Sequence, residues 1–217
     1  VSCGMSKYTH ILFDHDGVLV DTEHLYFRST RETLATAGVE LSMPDYLDLQ
    51  KVGGNAWTGM LDLGFSEADI EAKRVERNIL YQHYLVQEDI EIANVETVLA
   101  RLKPRFGLAI VTTAKQSDFD LIHAERTIVD YMDLILTNKD YARSKPYPDP
   151  YLAALAHFGI EAEAALVVED SERGLRAAVA AGIDCAVVNH PFTASQDFST
   201  ARYRIDGLED LLELLDV

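Results

Sequence analysis

The residues best suited to chemistry stand where short apolar runs stop. Asp14 and Asp16 follow His10-Ile-Leu-Phe13, Thr112 and Thr113 follow Leu108-Ala-Ile-Val111, and Glu169 and Asp170 follow Ala165-Leu-Val-Val168. Lys145 lies in Arg143-Ser-Lys-Pro146, ahead of a helical pattern. Apolar runs of this length, each ended by polar residues, read as buried strands, and ligands of an open parallel sheet bind beyond the carboxyl ends of its strands. Four carboxylates gathered there repel one another unless a cation shares them, and the all-oxygen set of Asp14, Asp16, Glu169 and Asp170 suits Mg²⁺. A phosphate ester completes the neutralisation. Mg²⁺ can bridge carboxylate and phosphoryl oxygens, Lys145 adds a second positive charge, and the Thr112 hydroxyl and turn amides donate hydrogen bonds. Asp14 is then held beside phosphorus, where a carboxylate is a competent nucleophile and forms an aspartyl-phosphate. Asp16, two residues on, projects toward the leaving group as general acid and then general base.

The elements that position these groups alternate. Further apolar runs at Leu134-Ile-Leu136 and Cys185-Ala-Val-Val188 are interleaved with helical patterns over Val95 to Leu102, Ser117 to Glu125, Pro150 to Phe158, Glu172 to Ala181 and Leu208 to Leu215. That order predicts an α/β fold, a Rossmann-like parallel sheet covered by helices on both faces. Roughly ninety residues separate the first strand from the second, far more than a crossover needs. The excess predicts an inserted helical lobe over 21–89, with 1–20 and 90–217 forming the core. Its helices are expected at Thr22 to Ala37, Pro44 to Gln50, Ala56 to Leu63 and from Ser66 toward Tyr84, with Ser66 and Asp69 as a capping box.

Composition narrows the classes. With 36 Asp and Glu against 19 Lys and Arg, a formal net charge of −17 repels nucleic-acid backbones and anionic membranes alike. Cys3 and Cys185 form neither a disulfide framework nor a metal-ligand spacing, and no apolar stretch reaches the ~20 residues of a membrane helix. The expectation is a cytoplasmic enzyme, a monomer or weak homodimer, acting on a small phosphorylated metabolite.

Four segments together resemble the haloacid dehalogenase superfamily, especially its beta-phosphoglucomutase-like phosphatase branch. Phe13-Asp14-His-Asp16-Gly17-Val-Leu-Val-Asp21-Thr22-Glu23 is similar to the first motif and Ile110-Val-Thr112 to the second. Ser144-Lys145-Pro146-Tyr-Pro148-Asp149-Pro150 is similar to the third, and Val167-Val-Glu169-Asp170-Ser171-Glu-Arg-Gly174 to the fourth. The resemblance implies that Asp14 is nucleophile and metal ligand, and that Asp16 is acid and base and also lends the metal its backbone oxygen. It also implies that Thr112 and Lys145 hold phosphate, and that Asp170 binds Mg²⁺ with Glu169 beside it, as a ligand or in the outer shell. The helical insert becomes a mobile cap, with Lys51 and Asn55, beside Gly53-Gly54, as substrate contacts. His15 departs from an apolar position of the family and Thr113 from a common Asn. Val20 replaces a Thr typical of the mutases, which favours a phosphatase.

Each group also has a plainer reading. Asp14 and Asp16 alone would make a polar turn, Lys145 a solvated loop residue, Asp170 a helix cap. Asp21 and Thr22 read as helix caps, and His15 as a packed side chain near the site, since no other His or Cys shows ligand spacing. A sugar phosphomutase would use the same acids, and a non-catalytic phosphate-sensing module would keep the fold without turnover.

Overall fold

The structure is a computed structural model that describes residues 6–52 and 54–217, except for the side chains of Lys51 and Val52. The chain divides into two compact units, one made of the segment up to Asp21 with Glu91–Val217, the other of Thr22–Ile90.

The first unit is built on a six-stranded, wholly parallel sheet. Its strands are β1 (His10–Phe13), β2 (Gly107–Val111), β3 (Leu134–Leu136), β4 (Ala165–Glu169), β5 (Asp184–Val188) and β6 (Tyr203–Ile205), in the order β3-β2-β1-β4-β5-β6. The α/β expectation therefore holds. All five residues of β4 are buried, as are three of the four in β1, which is how central parallel strands covered on both faces read in sequence. β6 was not anticipated. It is a three-residue edge strand whose middle residue, Arg204, is exposed, so no apolar run marks it.

Register aligns the strand ends. Phe13 pairs with Ile110 on one side and Val168 on the other, so Asp14, Val111–Thr112 and Glu169 leave the sheet at one edge. The order reverses between β1 and β4, because the chain runs outward through β2 and β3 and returns to β4. That junction is where doubly wound sheets place their ligands. The covering helices in this unit are α5 (Val95–Leu102), α6 (Gln116–His123), α7 (Asp149–Phe158), α8 (Glu172–Ala180) and α9 (Asp210–Leu214). Leu12, Val111, Tyr151, Ala154, Val167 and Leu175 belong to one apolar cluster under α7 and α8. At ~25 cal/mol per Å² of apolar surface, such burial is the main force holding these helices on the sheet.

The second unit holds α1 (Glu23–Thr36), α2 (Met43–Val52), α3 (Thr58–Asp62) and α4 (Glu67–Gln87). Its frame is α1 packed on α4. Ser66 and Asp69 form a reciprocal capping box at the start of α4, and Tyr26 meets Tyr81 edge-on with ring centres 5.3 Å apart. The guanidinium of buried Arg77 lies 4.2 Å from the Tyr26 ring centre and donates to the Thr30 hydroxyl at 3.2 Å. α1 begins after Thr22, whose side chain makes no capping hydrogen bond, contrary to the expected role. α3 is shorter than expected, because the chain turns through Ala56 and Trp57 first. Among the described residues no helix is long and apolar enough to cross a membrane.

Candidate active site

Lys145 is the hub. Its ammonium donates to Asp14 Oδ1 at 2.6 Å, to Glu169 Oε1 at 2.7 Å and to the Val111 carbonyl at 2.9 Å, joining the ends of β1, β2 and β4. The side chain is 2% exposed and that of Glu169 is wholly buried. Tyr151, on α7, donates to Glu169 Oε1 at 2.7 Å, and the Ser171 hydroxyl donates to Oε2 at 3.1 Å. The Asp170 and Ser171 amides approach Oε2 at 3.2 and 3.4 Å. A buried carboxylate is tolerable only when paired and hydrogen-bonded in this way. Ser171 also accepts from Gly174 N at 3.2 Å, so Ser171, and not Asp170, caps α8.

Asp14, Glu169 and Asp170 each offer a carboxylate oxygen, the three lying within 4.8 Å of one another. Gly17 makes room for this: its φ is +79°, and a Cβ there would fall on the Asp170 carboxylate. Asp170 also faces His190, whose Nδ1 is 4.0 Å from Oδ2 while its Nε2 is 3.6 Å from Asp21 Oδ1. The Asp16 carboxylate is not among the three. It lies 3.4 Å from His15 Nδ1, in a turn where Gly17 N donates to the Val20 carbonyl.

Thr112 is fully buried, and its hydroxyl oxygen accepts from Ala114 N at 3.0 Å while Tyr141 donates to its carbonyl at 2.7 Å. Thr113 meets Arg173 at 3.4 Å. The fold thus brings Asp14, Thr112, Lys145, Glu169 and Asp170 to one end of the sheet. Asn55 belongs to the other unit, where it is exposed and its Oδ1 accepts from Trp57 N at 3.0 Å. Lys51 lies in the last turn of α2 with its side chain outside the described residues, as is Gly53 of the expected glycine turn. His15 is not merely packed near the site but fully buried, with its Nε2 2.8 Å from His123 Nε2. His123, Tyr141, Tyr151 and His190 escaped notice in the sequence because each comes from a helix or loop whose local pattern signals only packing or a turn.

The electrostatics follow from burial and crowding. Desolvation, with Glu169 close by, pushes the Asp14 carboxyl up to about 6 despite Lys145. Burial alone would lower the ammonium of Lys145, but Asp14 and Glu169 outweigh it and hold it above its ordinary value. For Glu169, burial is outweighed by Lys145 and by its hydrogen bonds, and its carboxyl lies below the ordinary value. Three close carboxylates with one ammonium leave an excess of negative charge, as a cation site requires.

Known proteins resemble this chain along most of its length. The sequence pattern of haloacid dehalogenase-like hydrolases matches residues 11–188. Protein CbbY of Rhodobacter capsulatus is 30% identical over 210 residues, covering 91% of this chain and 92% of that one. The phosphorylated carbohydrates phosphatase of Thermotoga maritima is 27% identical, covering 80% of this chain and 82% of its own. A crystal structure of a CbbY variant from Rhodobacter sphaeroides, in complex with xylulose-(1,5)bisphosphate, superposes with a TM-score of 0.81 at 26% identity. It covers 97% of this chain and all of that one.

Proposed function

The chain belongs to the haloacid dehalogenase-like hydrolases, and on that premise we propose that it hydrolyses a small sugar-phosphate-like phosphomonoester through an aspartyl-phosphate on Asp14. The observation that carries this reading is the buried Lys145, which ties Asp14 to Glu169 while three carboxylates converge within 4.8 Å. The likeness to a phosphorylated carbohydrates phosphatase and to a CbbY structure holding a sugar bisphosphate supports the substrate class.

The donor set fits Mg²⁺: it is all hard oxygen, and Gly17 keeps space beside Asp170. Asp14, Asp170 and the backbone oxygen of Asp16 would hold the ion, with Glu169 in an outer role because its oxygens already serve Lys145, Tyr151 and Ser171. When bound, Mg²⁺ neutralises the carboxylates and polarises a phosphoryl oxygen.

The rest is the work of this chain's own groups. The Thr112 hydroxyl holds a phosphoryl oxygen, since its oxygen already accepts from Ala114 N and its hydrogen is left to donate, while Lys145, whose three hydrogens serve Asp14, Glu169 and Val111, supplies positive charge beside it. An Asp14 oxygen bonds to phosphorus as the ester P–O bond breaks, and Asp16 gives its proton to the departing oxygen. Asp16 then takes a proton from water as that water attacks phosphorus, which frees phosphate and restores Asp14. Discrimination among sugars is assigned to Lys51 and Asn55. Lys51→Ala should lower kcat/KM for the true substrate more than for a small aryl phosphate.

The test is a screen of the purified chain, with Mg²⁺, against phosphorylated sugars, phosphoglycolate and nucleotides for released phosphate. Release from sugar phosphates supports the reading; no release from any compound overturns it.

A further inference from the structure

His15 and His123 form a buried pair next to Asp16 that the hydrolysis just described does not use. His15 is wholly buried and His123 is 9% exposed. Their Nε2 atoms are 2.8 Å apart, and the Phe119 ring packs against both, with centres 5.0 and 4.5 Å away. On its other side, His15 Nδ1 lies 3.4 Å from Asp16 Oδ2. His123 Nδ1 is buried with no hydrogen-bond partner among the described residues.

These contacts restrict where the hydrogens sit. Two imidazole nitrogens at 2.8 Å require one to donate and the other to accept. Suppose His15 were the donor, as a neutral ring with a bare Nδ1. That lone pair would then face a carboxylate oxygen, and neutral His123 would have to bury an N–H at Nδ1 with no acceptor, a cost of about 1–3 kcal/mol. The opposite assignment turns an N–H toward Asp16 instead: His123 Nε2–H donates to His15 Nε2, and His15 Nδ1–H donates to Asp16, while His123 Nδ1 buries a lone pair and so lacks a partner among the described residues in either case. Burial, followed by His15 and Arg126, holds His123 down to about 3, so it serves as a neutral ring. The second nitrogen of an imidazole is set by the hydrogen bond the first one makes.

We propose that His15 is a positioning residue for Asp16, its Nδ1–H directed onto the carboxylate by the hydrogen bond that His123 makes to the far side of the ring. The proposal rests on the reading of Asp16 as acid and base. Asp16 sits in a turn with its side chain 30% exposed, and a directional contact to a buried ring favours one rotamer of its carboxylate. Geometry of this kind decides whether an acid reaches its leaving group.

Long-range ¹H–¹⁵N spectra of the full chain, with His15→Leu and His123→Phe for assignment, report the hydrogens directly. The expected result is a hydrogen on His15 Nδ1 and on His123 Nε2; a bare Nδ1 on His15 overturns the proposal whatever the enzyme's activity. Kinetics supply the second measurement. His15→Leu should lower kcat on an alkyl phosphate roughly tenfold or more, the scale on which losing a supporting hydrogen bond to an active group acts, with KM little changed. His15→Asn places an amide N–H where Nδ1 was and should recover most of the loss. The double variant His15→Leu/His123→Phe should be no slower than His15→Leu alone, because His123 acts through His15. Equal kcat in the Leu, Asn and wild-type chains overturns the proposal, as does an equal loss in both variants. Failure of the wild-type chain to release phosphate would instead count against the hydrolase reading, with the spectra still deciding the hydrogen bond.

Discussion

In the core, Lys145 sits 2% exposed among three acceptors, whereas in the helical unit Arg28 reaches Glu32 and Glu88 from a side chain that is 42% exposed. Each is a cation between carboxylates, but the physics differs. A buried ammonium and carboxylate lose their hydration on folding and must recover it from one another, so removing either partner strands the other. Exposed partners keep their water, and such pairs add little to stability. Charge at the sheet end is therefore buried and paired, whereas on the helical unit it stays hydrated, and capping and aromatic packing hold the helices.

The largest effects should appear when the comparison is broken at the sheet end. Asp14→Asn should abolish turnover and covalent labelling together, since an amide is a poor nucleophile and a poor metal ligand. Asp16→Asn should slow turnover by about 10²–10⁴-fold, yet accumulate phosphoenzyme from an activated donor such as acetyl phosphate. Mass spectrometry of acid-quenched protein checks both, and an adduct of roughly 80 Da on a residue other than Asp14 would remove it from the nucleophile's role.

Next comes Lys145→Met, which leaves Glu169 in the core without its cation. The loss should be about 3–5 kcal/mol of folding stability, read from urea unfolding monitored by circular dichroism. A loss below one kcal/mol would mean that the sheet end is no more demanding of its ion pairs than the surface.

A smaller effect concerns pH and metal. Asp14 titrates near 6 in the fold against about 4 in an unfolded chain, so the fold prefers its protonated form. Its contribution to stability is therefore greatest below pH ~4 and is lost as the pH rises through 6. If Asp14 is a ligand of Mg²⁺ as proposed, the ion takes the ionised form and has to displace that proton at lower pH, so binding should be about tenfold weaker at pH 5. The rise in Tm on adding Mg²⁺ should accordingly be larger at pH 7.5 than at pH 5 by differential scanning fluorimetry; the reverse order would disconnect Asp14 from the cation.

The smallest effects belong to the helical unit. Ser66→Ala removes one arm of the capping box and should cost about 1 kcal/mol, visible in thermal unfolding. Glu71→Ala, which breaks an exposed pair with Arg74, should leave the unfolding midpoint where it was. A larger effect from Glu71→Ala than from Ser66→Ala would invert the assignment of roles in this unit.

What the sequence determined by itself was the set of places where chemistry could happen. A central parallel strand buries both faces, so β1 and β4 appear as unbroken apolar runs, and the first carboxylates after them mark the sheet end. The Ser66–Asp69 cap was legible for a similar reason, because its partners are three residues apart and local geometry alone brings them together. Tertiary structure decided everything that depends on distant segments meeting. Lys145 lies 131 residues from Asp14, and only the likeness of its segment to a family motif, not its local pattern, set it apart from a solvated loop lysine. Tyr151 looks like any aromatic residue on α7 until β4 carries Glu169 beneath it, and His123 looks like a helix-end histidine until α6 sets it against His15. A short edge strand such as β6 escapes for the opposite reason: with Arg204 exposed and only Ile205 buried, it needs no apolar run. Periodicity and strand ends record how each residue meets solvent and its near neighbours, whereas the hydrogen bonds of this site are fixed by the packing of helices whose sequences record only which of their faces is buried.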